Sequence, residues 1–189
     1  MMRVIKTLKD GSFGFKERKR ANYRLRRAAR AVIFDKRGRV AMLHATKYGY
    51  YKVPGGGIEK GEDIETGLRR EVAEEAGCRI EIDGTLGMTV EYRSWYNRKQ
   101  ISYCYVGHVV GKLGRPTFTA DEKKEGFKPV WMGLDRALEL VEMCAKKRDA
   151  NNTLNYSIRF MANRELAILK QAKAIEPGLG NLYKMRKHN

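Results

Sequence analysis

The stretch PGGGIEKGEDIETGLRREVAEEAGC, from Pro54 to Cys78, restricts what this chain can fold into more than any other segment. Ile64, Leu68 and Val72 recur every four residues, the spacing of one buried helical stripe. A helix is predicted from about Asp63 to Ala76, with Gly77 just past its end. Glu71, Glu74 and Glu75 fall beside that stripe, at the edge of the core. Like charges four residues apart destabilise an isolated helix by roughly 0.2–0.5 kcal/mol. A hard cation would compensate, and magnesium prefers oxygen ligands while sharing its shell with water and substrate phosphates. The glycines before the helix (Gly55, Gly56, Gly57 and Gly61) let the backbone turn sharply and expose a carbonyl to the same cation.

The rest of the chain supplies strands for that helix to cover. Ala29–Asp35 and Arg39–Thr46 read as paired strands about a Lys36-Arg37-Gly38 turn, and Tyr50–Val53 leads into the glycines. Further strands are expected at Arg79–Ile82, Met88–Trp95, Ile101–Val110 and Phe127–Met132, with an acidic loop from Asp121 to Gly126. Val4–Leu8 and Phe13–Phe15 flank Asp10-Gly11 as an opening hairpin. Helices are predicted at Asp135–Arg148 and Arg159–Ile175, and a loose basic tail after Pro177. Strands followed by flanking helices argue an α+β sandwich with a mixed central sheet. The expected division is a basic arm (1–28), a central domain (29–148), a helical extension (149–176) and the tail (177–189).

Net charge is +17, and the first forty residues hold 14 Lys or Arg against three acids, a local +11. Such an excess attracts polyanionic substrates or nucleic acid, or serves as a solvated surface. No run reaches the roughly 18 apolar residues of a membrane span, and the charged N-terminus lacks a signal peptide's apolar core. Cys78, Cys104 and Cys144 match neither a disulfide framework nor a zinc site, which suits a reducing cytoplasm. Cys104 and His108 lie on one side of a strand with no third ligand, the pattern of a buried thiol and an incidental His.

The segment resembles the box of the Nudix family, G-x5-E-x7-R-E-U-x-E-E-x-G-U with U a bulky apolar residue. Gly56, Glu62, Arg70, Glu71, Val72, Glu74, Glu75, Gly77 and Cys78 occupy those positions, and only Cys78 departs from the usual aliphatic choice. Cysteine behaves as a small hydrophobe, so the pattern survives. The order of elements from about Ala29 to Leu140 follows the family as well, which implies an α/β/α sandwich.

The resemblance implies hydrolysis of a nucleoside diphosphate linked to a further group, with Mg²⁺ or Mn²⁺. Glu71, Glu74 and Glu75 would hold the metal with the Gly55 carbonyl, Arg70 would orient them, and Glu62 would hold the loop against the helix. The general base would come from the box, as Glu71, or from the late acidic loop, as Glu125 or Glu122. Arg30 would reach a terminal phosphate, and Tyr51 or Tyr96 a base. Tyr96 falls 18 residues after Cys78, where dinucleoside polyphosphate hydrolases of the family often carry a tyrosine. Arg93 stands where ADP-ribose hydrolases tend to have proline, and Lys52-Val53-Pro54 lacks the glutamine that bacterial RNA decapping members favour. The leading expectation is a nucleotide pyrophosphohydrolase. The alternatives are action on the 5′ end of RNA and a noncatalytic nucleotide- or RNA-binding module, and the family also makes a homodimer an expectation.

Overall fold

The computed structural model describes residues 2–19, 21–147 and 152–185, with side chains of the last helix described from 153 to 176. Among them are seven strands: β1 (Val4–Lys9), β2 (Arg24–Phe34), β3 (Val40–Ala45), β4 (Tyr50–Lys52), β5 (Arg79–Arg93), β6 (Arg98–Val110) and β7 (Phe127–Met132). The helices are α1 (Ile64–Ala76), α2 (Ala120–Glu125), α3 (Leu134–Lys146) and α4 (Asn152–Met185). The strands form one mixed sheet in the order β1-β5-β6-β2-β3-β4, with β7 also paired to β3. β1 runs parallel to β5 and β2 parallel to β6.

Strand alternation divides the core in two. Ala29, Ala31 and Ile33 of β2 face Leu68 and Val72 of α1, together with Tyr105 and Val109. Val32 and Phe34 face the other way, into a cluster with Val141 of α3 and Ile168, Leu169 and Ala172 of α4. The result is the expected α/β/α sandwich with a mixed sheet.

Several local expectations are corrected by long-range contacts. The opening segment is not a hairpin: β1 pairs with β5, and Asp10–Phe13 is a 3₁₀ turn. Phe13 and Phe15, both partly buried, instead pack with Trp95, Tyr156 and Phe160. The strands expected at Arg79–Ile82 and Met88–Trp95 are one strand, β5, with irregularities at Ile82/Gly84 and Thr85/Gly87. Gly87 marks a bulge rather than a turn: its φ is +120°, and a Cβ there would meet Arg3 O of the incoming β1 at 2.8 Å. β2 and β3 share only the Phe34–Val40 pair, because β6 takes one edge of β2 and the glycine loop takes the other.

The expected acidic loop contains α2, which Thr119 and Glu122 cap reciprocally. α3 spans Leu134–Lys146, and Arg148 lies outside the described residues. The last helix starts earlier than expected and continues past Pro177 to Met185, so a helical backbone replaces the loose tail there; 186–189 lie outside the described residues. The expected boundary between 28 and 29 falls inside β2. No described helix is long and apolar enough to cross a membrane.

The basic arm is fastened to α4 by a buried carboxylate. Asp10 is 1% exposed and accepts hydrogen bonds from the Tyr156 hydroxyl at 2.5 Å and Ser94 N at 3.2 Å. Tyr156→Phe removes the shorter bond and leaves the carboxylate under-solvated. The substitution should lower the urea midpoint by the equivalent of about 1.5–3 kcal/mol at unchanged m-value, read by equilibrium unfolding.

Candidate active site

Asp63 starts α1 by accepting from Glu65 N at 3.0 Å and Thr66 N at 3.2 Å, and Gly77 ends it in the left-handed region. With Leu68 and Val72 fully buried, the helix is locked in rotation and the three glutamates have different fates. Glu75 is 2% exposed, whereas Glu71 and Glu74 are half-buried.

The glycine loop completes the sheet beside β2. Ala31 N donates to Pro54 O at 3.1 Å, Ala29 N to Gly56 O at 3.0 Å, and Ile58 N to Arg27 O at 3.1 Å. A Cβ on Gly55 would sit 2.2 Å from Ala29 O, and one on Gly56 would sit 2.2 Å from Glu71 Oε2. Glycine at these two positions is therefore what lets the loop lie against both strand and carboxylate.

Each acid meets a cation. Arg70 Nε and Nη2 form a two-pronged pair with Glu62 at 2.9 and 3.0 Å, while Nη1 reaches Glu71 at 3.0 Å and Glu74 at 3.4 Å. Arg70 also donates to Gly57 O at 3.1 Å, so one guanidinium ties helix to loop. Glu75 accepts from Lys52 Nζ at 2.7 Å and Gly55 N at 2.6 Å. Burial raises the Glu75 carboxyl above its ordinary range, although Lys52 and Gly55 N oppose the shift. Arg70 holds Glu62 down, at about 2.

A chain of charges continues from this point across the sheet. Arg30, 5% exposed, donates to Gly55 O at 3.0 Å and lies 3.9 Å from Glu165. Glu165 accepts from Val53 N at 3.1 Å and from Arg164 Nε at 2.9 Å. Arg164 reaches Glu91 at 2.9 Å, and Glu91 also accepts from Arg93 Nε at 2.6 Å. The Arg30 Nε has no partner, and burial followed by the nearby Arg164 lowers the Arg30 pKa. Arg26 is lowered to about 10, by burial and then by Arg30, Arg98 and Arg164.

These groups wall a cleft of about 760 Å³. Arg26, Arg30, Lys52, Arg93, Arg98 and Arg164 line it, and Glu75, Glu91 and Glu165 pair with four of these cations (Lys52, Arg30, Arg93 and Arg164) from behind the lining. Asp121, Glu122 and Glu125 line it as well, with Tyr48, Tyr50 and Phe127 as its aromatic members. Glu125 is held by the Tyr50 hydroxyl at 2.7 Å. The Tyr50 pKa is raised, by burial and then by Glu125, so the phenol stays a donor at neutral pH. Glu122 has its Oε2 engaged by Thr119 N and hydroxyl, both at 2.9 Å.

The structure thus brings Arg30, Glu122 and Glu125 into one cleft, with Glu75 bound to its Lys52. Glu71, Glu74 and Glu75 all lie outside the lining, and Glu75 is joined to it through Lys52. Tyr51 points away from the cleft, stacked on His44 at 4.3 Å, because strand parity turns Tyr50 and Lys52 inward instead. Tyr96 is also outside the lining; its hydroxyl is 2.7 Å from Ser157 Oγ. Reading the sequence gave no site role to Lys52, Glu91, Arg93, Arg164 or Glu165, whereas Tyr48 and Tyr50 stand beside Tyr51 as aromatics near the loop. A signal existed for Glu165, which sits three and four residues before Ile168 and Leu169, on the apolar stripe of α4.

As placed, no three Asp, Glu, His or Cys side chains among the described residues converge closely enough to hold a metal ion. The donor chemistry nevertheless suits a hard divalent cation. Three carboxylates share about one helical turn, Glu71 touches the loop where any side chain on Gly56 would collide, and the Gly55 carbonyl is the neighbouring oxygen. Lys52, Arg30 and Arg70 neutralise these oxygens in the present arrangement, and an incoming cation would exchange with them.

Comparison with known proteins agrees with the fold. A mixed sandwich with this carboxylate helix defines a hydrolase of the Nudix class, and the family model described as the NUDIX domain matches residues 24–153. The chain belongs to the Nudix family and is a Nudix hydrolase. Enzymes of this family generally use divalent metal ions. It is 31% identical to the RNA pyrophosphohydrolase of Caulobacter vibrioides, over 58% of this chain and 73% of that protein. A MutT-like protein of Streptomyces ambofaciens is 39% identical over 30% of this chain and 37% of its own length. Among solved structures, the Nudix hydrolase from Nitrosomonas europaea superposes with a TM-score of 0.52 at 18% identity, covering 75% of this chain and 92% of that one.

The Arg70–Glu62 clamp has a defined pH signature. A folded-state pKa of about 2 against the ordinary 4.5 means that Glu62 contributes stability above about pH 4.5, lost as pH falls toward 2. The melting-temperature gap between the wild type and Glu62→Gln should be constant above pH 5 and close on acidification, measured by differential scanning fluorimetry.

Proposed function

We propose that this chain is a Mg²⁺-dependent pyrophosphohydrolase that cleaves the diphosphate linkage of a nucleotide or nucleoside diphosphate derivative, with Mn²⁺ as a substitute ion. The observation that carries this reading is the divided cleft, with surplus cations on one wall and Glu125 on the other, meeting at the Glu75 end of the box. Arg26 and Arg30 bind phosphate oxygens, and the unpartnered Arg30 Nε gains an acceptor there. Tyr48 offers its ring to a base.

Glu71, Glu74, Glu75 and the Gly55 carbonyl would hold the metal, which when bound neutralises charge developing on the phosphates and acidifies water. Glu125, positioned by Tyr50, takes the proton of the attacking water. A bond forms between that water oxygen and phosphorus while the bridging P–O bond breaks, and the departing phosphate oxygen keeps the electron pair beside the cation wall. Glu71 is the less suitable base because Arg70 and the glycine loop enclose it, and Glu122 because it caps α2. Burial pushes the thiols of Cys78 and Cys104 up to about 11 and about 12, which keeps them inert and suits a reducing cytoplasm.

A second reading, removal of diphosphate from the 5′ end of RNA, is favoured by the likeness to a protein named RNA pyrophosphohydrolase and by the net charge of +17. The distinguishing screen offers nucleoside triphosphates, dinucleoside polyphosphates, nucleotide sugars and 5′-triphosphorylated RNA with Mg²⁺ or Mn²⁺, and measures phosphate and pyrophosphate release. Absence of turnover on the whole panel would remove both readings.

Two substitutions test the roles. Glu125→Gln should lower kcat by about 10²–10⁴-fold with little change in KM, while Glu122→Gln changes kcat by less than about tenfold. Gly56→Ala should abolish turnover by displacing Glu71 while leaving the far-ultraviolet circular dichroism unchanged; full activity in this variant would contradict the box geometry.

A further inference from the structure

The sheet carries a second basic surface, on the face opposite the cleft, that the catalytic reading does not use. Its residues are set by register. Lys9 of β1 pairs with Tyr92 of β5, Tyr92 with Lys99 of β6, and Lys99 with Leu25 of β2, so these four side chains form one row on one face. Two residues along, Thr7, Val90, Ile101 and Arg27 make the next row on that face.

The face is the one that α1 covers further on, at Ala29, Ala31 and Ile33, but these rows lie beyond that cluster. Leu25 is 55% exposed, Lys9, Thr7 and Arg27 are exposed, and Val90, Tyr92, Lys99 and Ile101 are half-buried. None of the apolar members packs in any of the four hydrophobic clusters. Neither row contains an acid; the nearby Glu17 is hydrogen-bonded by Tyr23, whose ring meets Tyr92 edge-on at 5.5 Å. Lys9 and Lys99 lie over the Tyr92 ring at 5.8 and 5.3 Å.

An aromatic ring flanked by lysines on an acid-free, apolar sheet face has the chemistry that holds single-stranded nucleic acid: rings for bases and cations for the backbone. The surface is also continuous with the cleft. Lys99 is next in sequence to Arg98, which lines the cleft, and Arg98 is paired in register with Arg24 at the same strand ends. We propose that this face binds the body of a single-stranded RNA whose 5′ end occupies the cleft, a proposal that rests on the second reading above.

The test uses the full chain and a fluorescent oligoribonucleotide bearing a 5′-hydroxyl, followed by anisotropy across a salt series. Such an RNA has no diphosphate, so its binding reports the face whether or not the cleft hydrolyses anything. The K9A/R27A/K99A variant should bind at least tenfold more weakly, and its slope of log affinity against log salt should fall by about 2, the loss of three phosphate contacts. Tyr92→Ala should weaken binding by about 5- to 100-fold. Both variants should keep the wild-type melting temperature and turnover of any mononucleotide substrate, whereas turnover of 5′-triphosphorylated RNA at low concentration should fall in parallel with affinity. Unchanged RNA affinity and salt slope in the triple variant would overturn the proposal. So would loss of binding to phosphatidylserine-containing vesicles with RNA binding intact.

Discussion

Every charge in the interior must be answered, and that requirement organises the molecule. Glu75, Glu91, Glu165, Arg30 and Arg164 are all nearly or fully removed from water. Leaving one such group without its partner typically costs 3–5 kcal/mol. These groups and their partners come from α1, the glycine loop, β2, β4, β5 and α4, so satisfying the charges fixes how these elements meet. Lys52 on Glu75 and Arg30 on the Gly55 carbonyl are the joints between this network and the carboxylate helix with its glycine loop. The pairing is lopsided, because the wall has more cations than carboxylates. The pKa of Arg26 falls partly for that reason. An anion in the cleft would relieve that repulsion.

The segments flanking the matched family region take part in this network. The family match ends at residue 153, yet Arg164 and Glu165 stand beyond it and touch the loop and β5. α4 is steadied at its other end by Tyr156, which grips Asp10 of the arm and stacks on Trp95 at 4.5 Å. A 3₁₀ turn near the start of the chain therefore helps to set the height of the cleft wall. Such coupling through buried polar contacts is less forgiving than apolar packing, since geometry as well as volume must be kept.

What could be read in advance follows from how local each signal is. The stripe of Ile64, Leu68 and Val72, and the glutamates beside it, repeat within one helix, so their arrangement was legible. So were the glycines, whose conformations belong to the loop itself. The parallel pairing of β1 with β5 joins residues about eighty positions apart and leaves no periodic trace. Which of Tyr50 and Tyr51 faces the cleft is not legible locally, because a three-residue strand is too short for alternation to show which side faces in. Gly84 and Gly87 looked like the end of a strand, whereas they let one long strand bend around the incoming β1. Glu165 stood on an apolar stripe, and only the fold shows that two arginines and the Val53 amide await it there.

Strand parity also explains where the N-terminal excess charge goes. Along β2, Arg26 and Arg30 turn toward the cleft, while Arg27 turns toward the open face with Leu25. On the neighbouring β6 the same rule puts Arg98, paired with Arg24, on the cleft side and Lys99, paired with Leu25, on the other. A sheet is thin, so cations on its two faces stand within about a Debye length of one another and repel unless water or counter-ions intervene. Packing so many of them at one end of a sheet is a standing destabilisation in the free protein. A single polyanionic chain passing over the strand ends would touch both faces and release the counter-ions of both. Parity is therefore what makes the strand ends of β2 and β6 basic on both faces of the sheet.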